Sequence, residues 1–155
     1  MTQEKIIIVS GYFDPLHAGH IECMQLAKNL GDKLIIILNT DEQCKIKKGF
    51  AFMPQNEKKK ILETLKHVDE VFISVDKDAS VCESIKVISK KYPNNKIIFA
   101  KGGDRFIYEI PETKLCKELN IDVVDGLGEK IQSSSDLIKN AEEKKKQNDT
   151  NKHPL

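Results

Sequence analysis

Apolar positions along this chain fall into short continuous runs separated by stretches with helical spacing. Ile6, Ile7, Ile8 and Val9 form one run and predict a strand over residues 5–9 buried on both faces. Ile21, Met24, Ala27 and Leu30 then share one face of a helix over 18–30, which Gly31 closes. Residues 34–38 (LIIIL) predict a second buried strand. Residues 43–52 (QCKIKKGFAF) carry no apolar stripe and predict a mobile basic loop. Pro54 starts a helix over 54–66, with Ile61, Leu62 and Leu65 as its stripe. A third strand follows over 68–75, then a helix over 79–91 with Val81, Ile85 and Ile88 on one face, broken at residues 92–95. The fourth strand is predicted at 96–100, a helix at 113–119 and a last short strand at 122–124. A glycine-bearing loop over 125–128 leads to three serines at the start of a final helix.

Strands alternating with helices at this spacing predict an α/β fold, a Rossmann-like three-layer sandwich around a five-stranded parallel sheet with right-handed crossovers. Ligands in such sheets lie outside the carboxyl ends of the strands. The loops after the first, second, fourth and fifth strands are therefore expected to converge on one cleft. Residues 1–140 form the expected domain, and 141–155 lack an apolar stripe and read as a disordered tail.

Composition narrows the function. At 155 residues the chain suits one domain with a single core. Its 25 basic and 24 acidic residues nearly cancel to a net charge of +1, so no global field points to nucleic acid or a membrane surface. Trp is absent and aromatics are 6%, which gives no base-stacking platform. Cys23, Cys44, Cys82 and Cys116 are scattered without a CxxC pair and read as reduced thiols of a cytoplasmic protein. The apolar run near the N-terminus is too short for a signal peptide or a spanning helix.

The chemistry concentrates between the first strand and the first helix. His17 and His20 stand three apart around Ala18 and Gly19, where a parallel strand hands over to a helix N-terminus. Backbone N–H groups there favour an anion, and two imidazoles make that site a cradle for phosphate oxygens. A metal-binding HxxH with Cys23 as third ligand would lack a fourth partner. Gly19 removes a side chain where a phosphate would approach the backbone.

Residues 11–20, GYFDPLHAGH, resemble the G-x-F-D-x-x-H-x-G-H signature of the cytidylyltransferase-like nucleotidyltransferases. That family includes glycerol-3-phosphate cytidylyltransferase and heptose-phosphate adenylyltransferase. LGDKLIIILNTDEQ, ILETLKHVDEVF, KGGDR and IQSSSDLI follow in the family's order, so the resemblance spans about residues 5–140. It implies that His17 and His20 contact the nucleotide phosphates and stabilise charge on the α-phosphate and the departing pyrophosphate. The acceptor's own phosphate oxygen attacks the α-phosphorus. A lysine of the basic segment closes over the phosphates, with Lys48 the best match and Lys45 next.

The nucleotide site so implied comprises Gly11, Tyr12, Phe13, Asp14, Gly19, Gly102, Asp104, Arg105, Ser133, Ser134 and Ser135. Asp14 either holds the loop or helps with the metal. Arg105 suits a bidentate phosphate contact, and the three serines match the family's S-T-T that binds the outer phosphates. Mg²⁺ is expected to arrive with the NTP, without a dedicated protein cage. A homodimer is also expected by resemblance.

Departures touch specificity. Tyr12 stands where cytidylyltransferases often carry threonine, and Lys58 where the family has arginine. Residues 127–130 read LGEK in place of RTEG, near the base pocket of relatives, which weakens the case for CTP. The expected reaction transfers NMP from CTP or ATP to a small phosphorylated polyol or sugar, releasing pyrophosphate. The rivals are adenylylation of a cofactor precursor such as FMN or phosphopantetheine, and a regulatory nucleotide-binding protein without turnover.

Overall fold

The structure, a computed structural model, describes residues 4–102 and 111–127. Its elements run β1 (Lys5–Gly11), α1 (Ala18–Lys28), β2 (Lys33–Leu38), α2 (Asp41–Lys48), α3 (Gln55–Glu63), β3 (Glu70–Ile73), α4 (Cys82–Lys91), β4 (Lys96–Gly102), α5 (Pro111–Glu118) and β5 (Asp122–Leu127). The strands form one sheet in the order β3-β2-β1-β4-β5, and every pairing is parallel. The α/β Rossmann-like architecture with a five-stranded parallel sheet is thus the one the alternating runs predict.

The central strands are apolar at consecutive positions because both faces are covered. Ile6 and Ile8 of β1, with Ile35 and Ile37 of β2, pack under Val81, Ile85 and Ile88 at α4 and Leu115 and Cys116 of α5. The alternate residues Ile7, Val9, Leu34 and Ile36 face the other way, against Met24 and Ala27 of α1 and Leu62 of α3. This period-2 division of one apolar run between two cores produces the three layers.

Three expectations are corrected. Residues 43–48 of the expected mobile loop over 43–52 are helical and belong to α2 (Asp41–Lys48). A capping box starts it: Gln43 N–H donates to Thr40 Oγ1 over 3.1 Å, and Thr40 N–H donates to Gln43 Oε1 over 3.0 Å. Asp41 and Glu42 lie in its first turn, its lysines in the last, and Gly49 ends it at φ 87°. Only Gln43 and Cys44 of this helix are buried, so its sequence has no stripe to betray it. Second, β5 continues to Leu127 instead of turning into a loop at residue 125, because its pairing with β4 resumes at Gly102↔Leu127 beyond an irregularity after Ala100. Third, of the face predicted for α1, Met24 and Ala27 are buried but Ile21 is 40% exposed. The final helix and the tail lie outside the described residues. No helix among the described residues is long and apolar enough to cross a membrane.

Crossovers reverse direction between β1 and β4, the place where such sheets open a crevice at their carboxyl edge. Asn39 N–H at the end of β2 donates to Gly11 O over 3.0 Å, which aligns the ends of β1 and β2 there.

Candidate active site

The motif loop leaves β1 at Gly11 and turns sharply. Phe13 takes a left-handed φ of 49°, and its ring folds back over Gly11, where a Cβ would come within 2.8 Å of the ring. A side chain at residue 11 would therefore displace Phe13. The buried ring meets His20 edge-on, with centroids 4.9 Å apart. His20 in turn stacks on His17 at 3.7 Å and 21°.

Both imidazoles are oriented by the start of α1. His17 is its N-cap, and His17 Nδ1 accepts from Gly19 N–H over 3.1 Å. His20 Nδ1 accepts from His17 N–H over 3.1 Å. A backbone N–H can only donate, so each Nδ1 is a bare acceptor and each neutral ring carries its proton on Nε2. His17 Nε2 is buried and has no hydrogen-bond partner among the described residues, an orphan donor of the kind that a ligand satisfies. Burial lowers the pKa of His17 below the usual imidazole value. Burial, with the neighbouring His17 second, pushes His20 down to about 3. The pair therefore offers neutral N–H donors at pH 7, and any positive charge at the site comes from lysines and the α1 N-terminus.

Asp14 supplies the second layer. Its buried carboxylate accepts from Phe52 N–H over 2.7 Å, from Met53 N–H, and from Lys48 Nζ over 2.9 Å. Lys48 Nζ also donates to Asp14 O over 2.9 Å. Burial raises the pKa of Asp14, but the Phe52 amide, Lys48, the Met53 amide and Lys58 together outweigh it, and the group lies below the usual carboxylate range. Asp14 thus fastens the loop after α2 to the motif loop.

The structure brings Gly11, Tyr12, Phe13, Asp14, His17, Gly19, His20 and Lys48 into one constellation. Lys45 points elsewhere, into an exposed pair with Glu42 at 3.2 Å. Tyr12 donates its hydroxyl to Ala79 O over 3.1 Å and lies under Lys47 Nζ at 4.6 Å. Gly102 ends β4 at the same sheet edge. Asp104, Arg105, Ser133, Ser134 and Ser135 lie outside the described residues.

Lys58, which the sequence marks only as standing where the family has arginine, proves to be part of the site. Its side chain is fully buried, donates to Tyr12 O over 2.9 Å, and lies 3.5 Å from Asp14 Oδ1 and 3.8 Å from Cys44 Sγ. A lysine facing the core side of an otherwise polar helix start was the available signal. All four cysteines are free thiols.

The family model described as cytidylyltransferase-like matches residues 8–148. The chain belongs to the cytidylyltransferase-like family. The constellation above lies within the matched residues. Among curated relatives, the bifunctional protein HldE of Nitratiruptor sp. is 33% identical over 79% of this chain, which spans 26% of the length of that protein. FAD synthase of Pyrococcus horikoshii is 37% identical, over 76% of this chain and 77% of its own length. Glycerol-3-phosphate cytidylyltransferase of Bacillus subtilis is 45% identical over a shorter stretch, 43% of this chain and 52% of its own.

Proposed function

We propose that this cytidylyltransferase-like protein transfers AMP from ATP to the phosphate of a small phosphorylated acceptor and releases pyrophosphate. The observation that carries the reading is the orphan Nε2 of His17, buried beside His20 at the N-terminus of α1. Two aligned N–H donors at a helix start suit the oxygens of a triphosphate. An acceptor phosphate oxygen attacks the α-phosphorus, a new P–O bond forms, the α–β bridge breaks, and its electron pair leaves with pyrophosphate. His17 and His20 stabilise charge on the phosphates in flight, and no side-chain nucleophile takes part. Lys48 supplies the neutralising cation, moving from Asp14 to the phosphates. Asp104, Arg105 and Ser133–Ser135 complete the nucleotide site in this reading.

ATP is favoured over CTP for two reasons. Residues 127–130 lack the RTEG found near the base pocket of glycerol-3-phosphate cytidylyltransferase. The similarity to an FAD synthase, whose product carries an adenine nucleotide, also extends much further along this chain than that to the cytidylyltransferase. A Mg²⁺ ion bound with the nucleotide would supply charge neutralisation to the phosphates. The Asp14 oxygens are taken by lysines and backbone amides, so the phosphates and water fit as its ligands better than Asp14 does.

The test is pyrophosphate release with ATP, CTP, GTP or UTP and Mg²⁺ against phosphorylated polyols, sugars and FMN. Release with ATP, abolished in His17→Ala and His20→Ala, is expected. Release with CTP alone would overturn the choice of base, and nucleotide binding without release on any acceptor would favour a regulatory protein.

A further inference from the structure

We propose that Phe50 and Phe52 form a platform for the body of the acceptor, and that the acceptor is a phosphomonoester attached to a planar conjugated ring. The proposal rests on the nucleotidyl-transfer reading above and names the substrate class of that site.

Three large apolar side chains are exposed within one seven-residue stretch: Ile46 at 58%, Phe50 at 45% and Phe52 at 58%. Clustered exposure of this kind marks a binding surface, whereas scattered exposed residues need no explanation. The segment is also anchored at the site. Phe52 N–H and Met53 N–H both donate to the carboxylate of Asp14, the residue that follows Phe13 in the motif loop. Lys48 Nζ shares that carboxylate and lies 5.6 Å from the centroid of the Phe50 ring.

The Phe50 ring and the Lys48 cation therefore stand side by side, and the Phe52 backbone is tied to the motif loop that carries the histidines. That pairing complements a ligand with a phosphate at one end and a flat apolar body at the other. A polyol phosphate would use the cation and leave both phenyl rings in water. A second copy of the chain would have to cover Lys45, Lys47 and Lys48 together with the rings, bringing like charges into the interface.

The test uses the full chain and FMN as the probe acceptor, with glycerol 3-phosphate as the non-planar control. Flavin fluorescence reports binding independently of turnover, and pyrophosphate release reports transfer. The expected result is quenching of flavin fluorescence by the wild type and AMP transfer to FMN. Phe52→Ser and Phe50→Ser should raise the flavin Kd and KM roughly tenfold, leave the KM for ATP within twofold, and be rescued by Phe52→Trp.

Transfer to glycerol 3-phosphate with no flavin binding, unchanged in both serine variants, would overturn the platform and leave the enzyme reading intact. Serine variants that shift the sedimentation from dimer to monomer without changing the acceptor KM would also overturn it. Flavin binding lost in Phe52→Ser, without release from any nucleotide, would support the platform while overturning the transferase reading.

Discussion

Lys58 Nζ stands 3.5 Å from Asp14 Oδ1 with both side chains fully buried, while Lys48 reaches the other oxygen of the same carboxylate from the half-open side. One carboxylate thus serves a permanent cation and a more accessible one. If Lys48 leaves for a triphosphate, Lys58 still compensates the buried charge. Lys58→Met should therefore destabilise the protein by about 3 kcal/mol, since removing one partner of a buried pair strands the other. That corresponds to roughly 10 °C in Tm for a domain of this size. Lys58→Arg keeps the charge and should recover most of the stability. Calorimetry of the two variants checks this; equal losses would mean that volume, not charge, matters at residue 58.

The two candidate lid lysines should separate cleanly. Lys48 is bound to the motif loop, whereas Lys45 is paired with exposed Glu42. Lys48→Ala should lower kcat/KM by about 10²–10³, the usual cost of removing one preorganised donor to developing charge. Lys45→Ala should stay within about threefold, because exposed ion pairs contribute little. Steady-state pyrophosphate release measures both, and a larger loss for Lys45 would reverse the assignment.

How much of this was legible in sequence depends on which physical signal each element carries. The buried runs of β1 and β2 announce themselves because both faces need apolar side chains, and the histidines because a strand-to-helix junction has a recognisable pattern. The helix α2 escaped notice because it buries almost nothing apolar. Its capping box, Thr40 to Gln43, was readable but stands in a segment dominated by lysines. Lys58 is visible in sequence as a departure from the family's arginine, but its pairing with Asp14 is not, because only packing of α3 against the motif loop brings the two together. The stacking of His17 on His20, and hence the tautomer of each ring, follows from backbone amides whose direction no residue pattern encodes.

Gly11 tests the seating of Phe13. A Cβ at residue 11 would lie 2.8 Å from Phe13 Cζ and 3.1 Å from Cε1 and Cε2. Gly11→Ala must therefore push the ring toward His20, at a cost of about 1–3 kcal/mol for overpacking. Nucleotide affinity should fall together with stability, because the same ring braces His20. Titration calorimetry with ATP beside a urea denaturation series measures the two effects. A stability loss with unchanged ATP affinity would show that the ring does not set the histidines.

Acid should unfold this protein through its histidines. His20, held at about 3 by burial and by His17, and His17, lowered by burial, are both neutral in the folded chain at pH 7. Unfolding returns each to the ordinary value near 6.5. Between those limits the unfolded chain binds more protons than the folded one, so stability rises with pH there and is lost as pH falls from about 6.5. His20 alone sets a slope of up to about 1.4 kcal/mol per pH unit. Urea denaturation at pH 7.5, 6.5, 5.5 and 4.5 should show the loss, and His20→Gln should flatten it. A bound triphosphate reverses part of the shift, since its negative charge favours the imidazolium. With ATP and Mg²⁺ present, the acid limb should therefore move to lower pH. An unchanged limb with saturating nucleotide would mean that the phosphates do not reach the stacked pair.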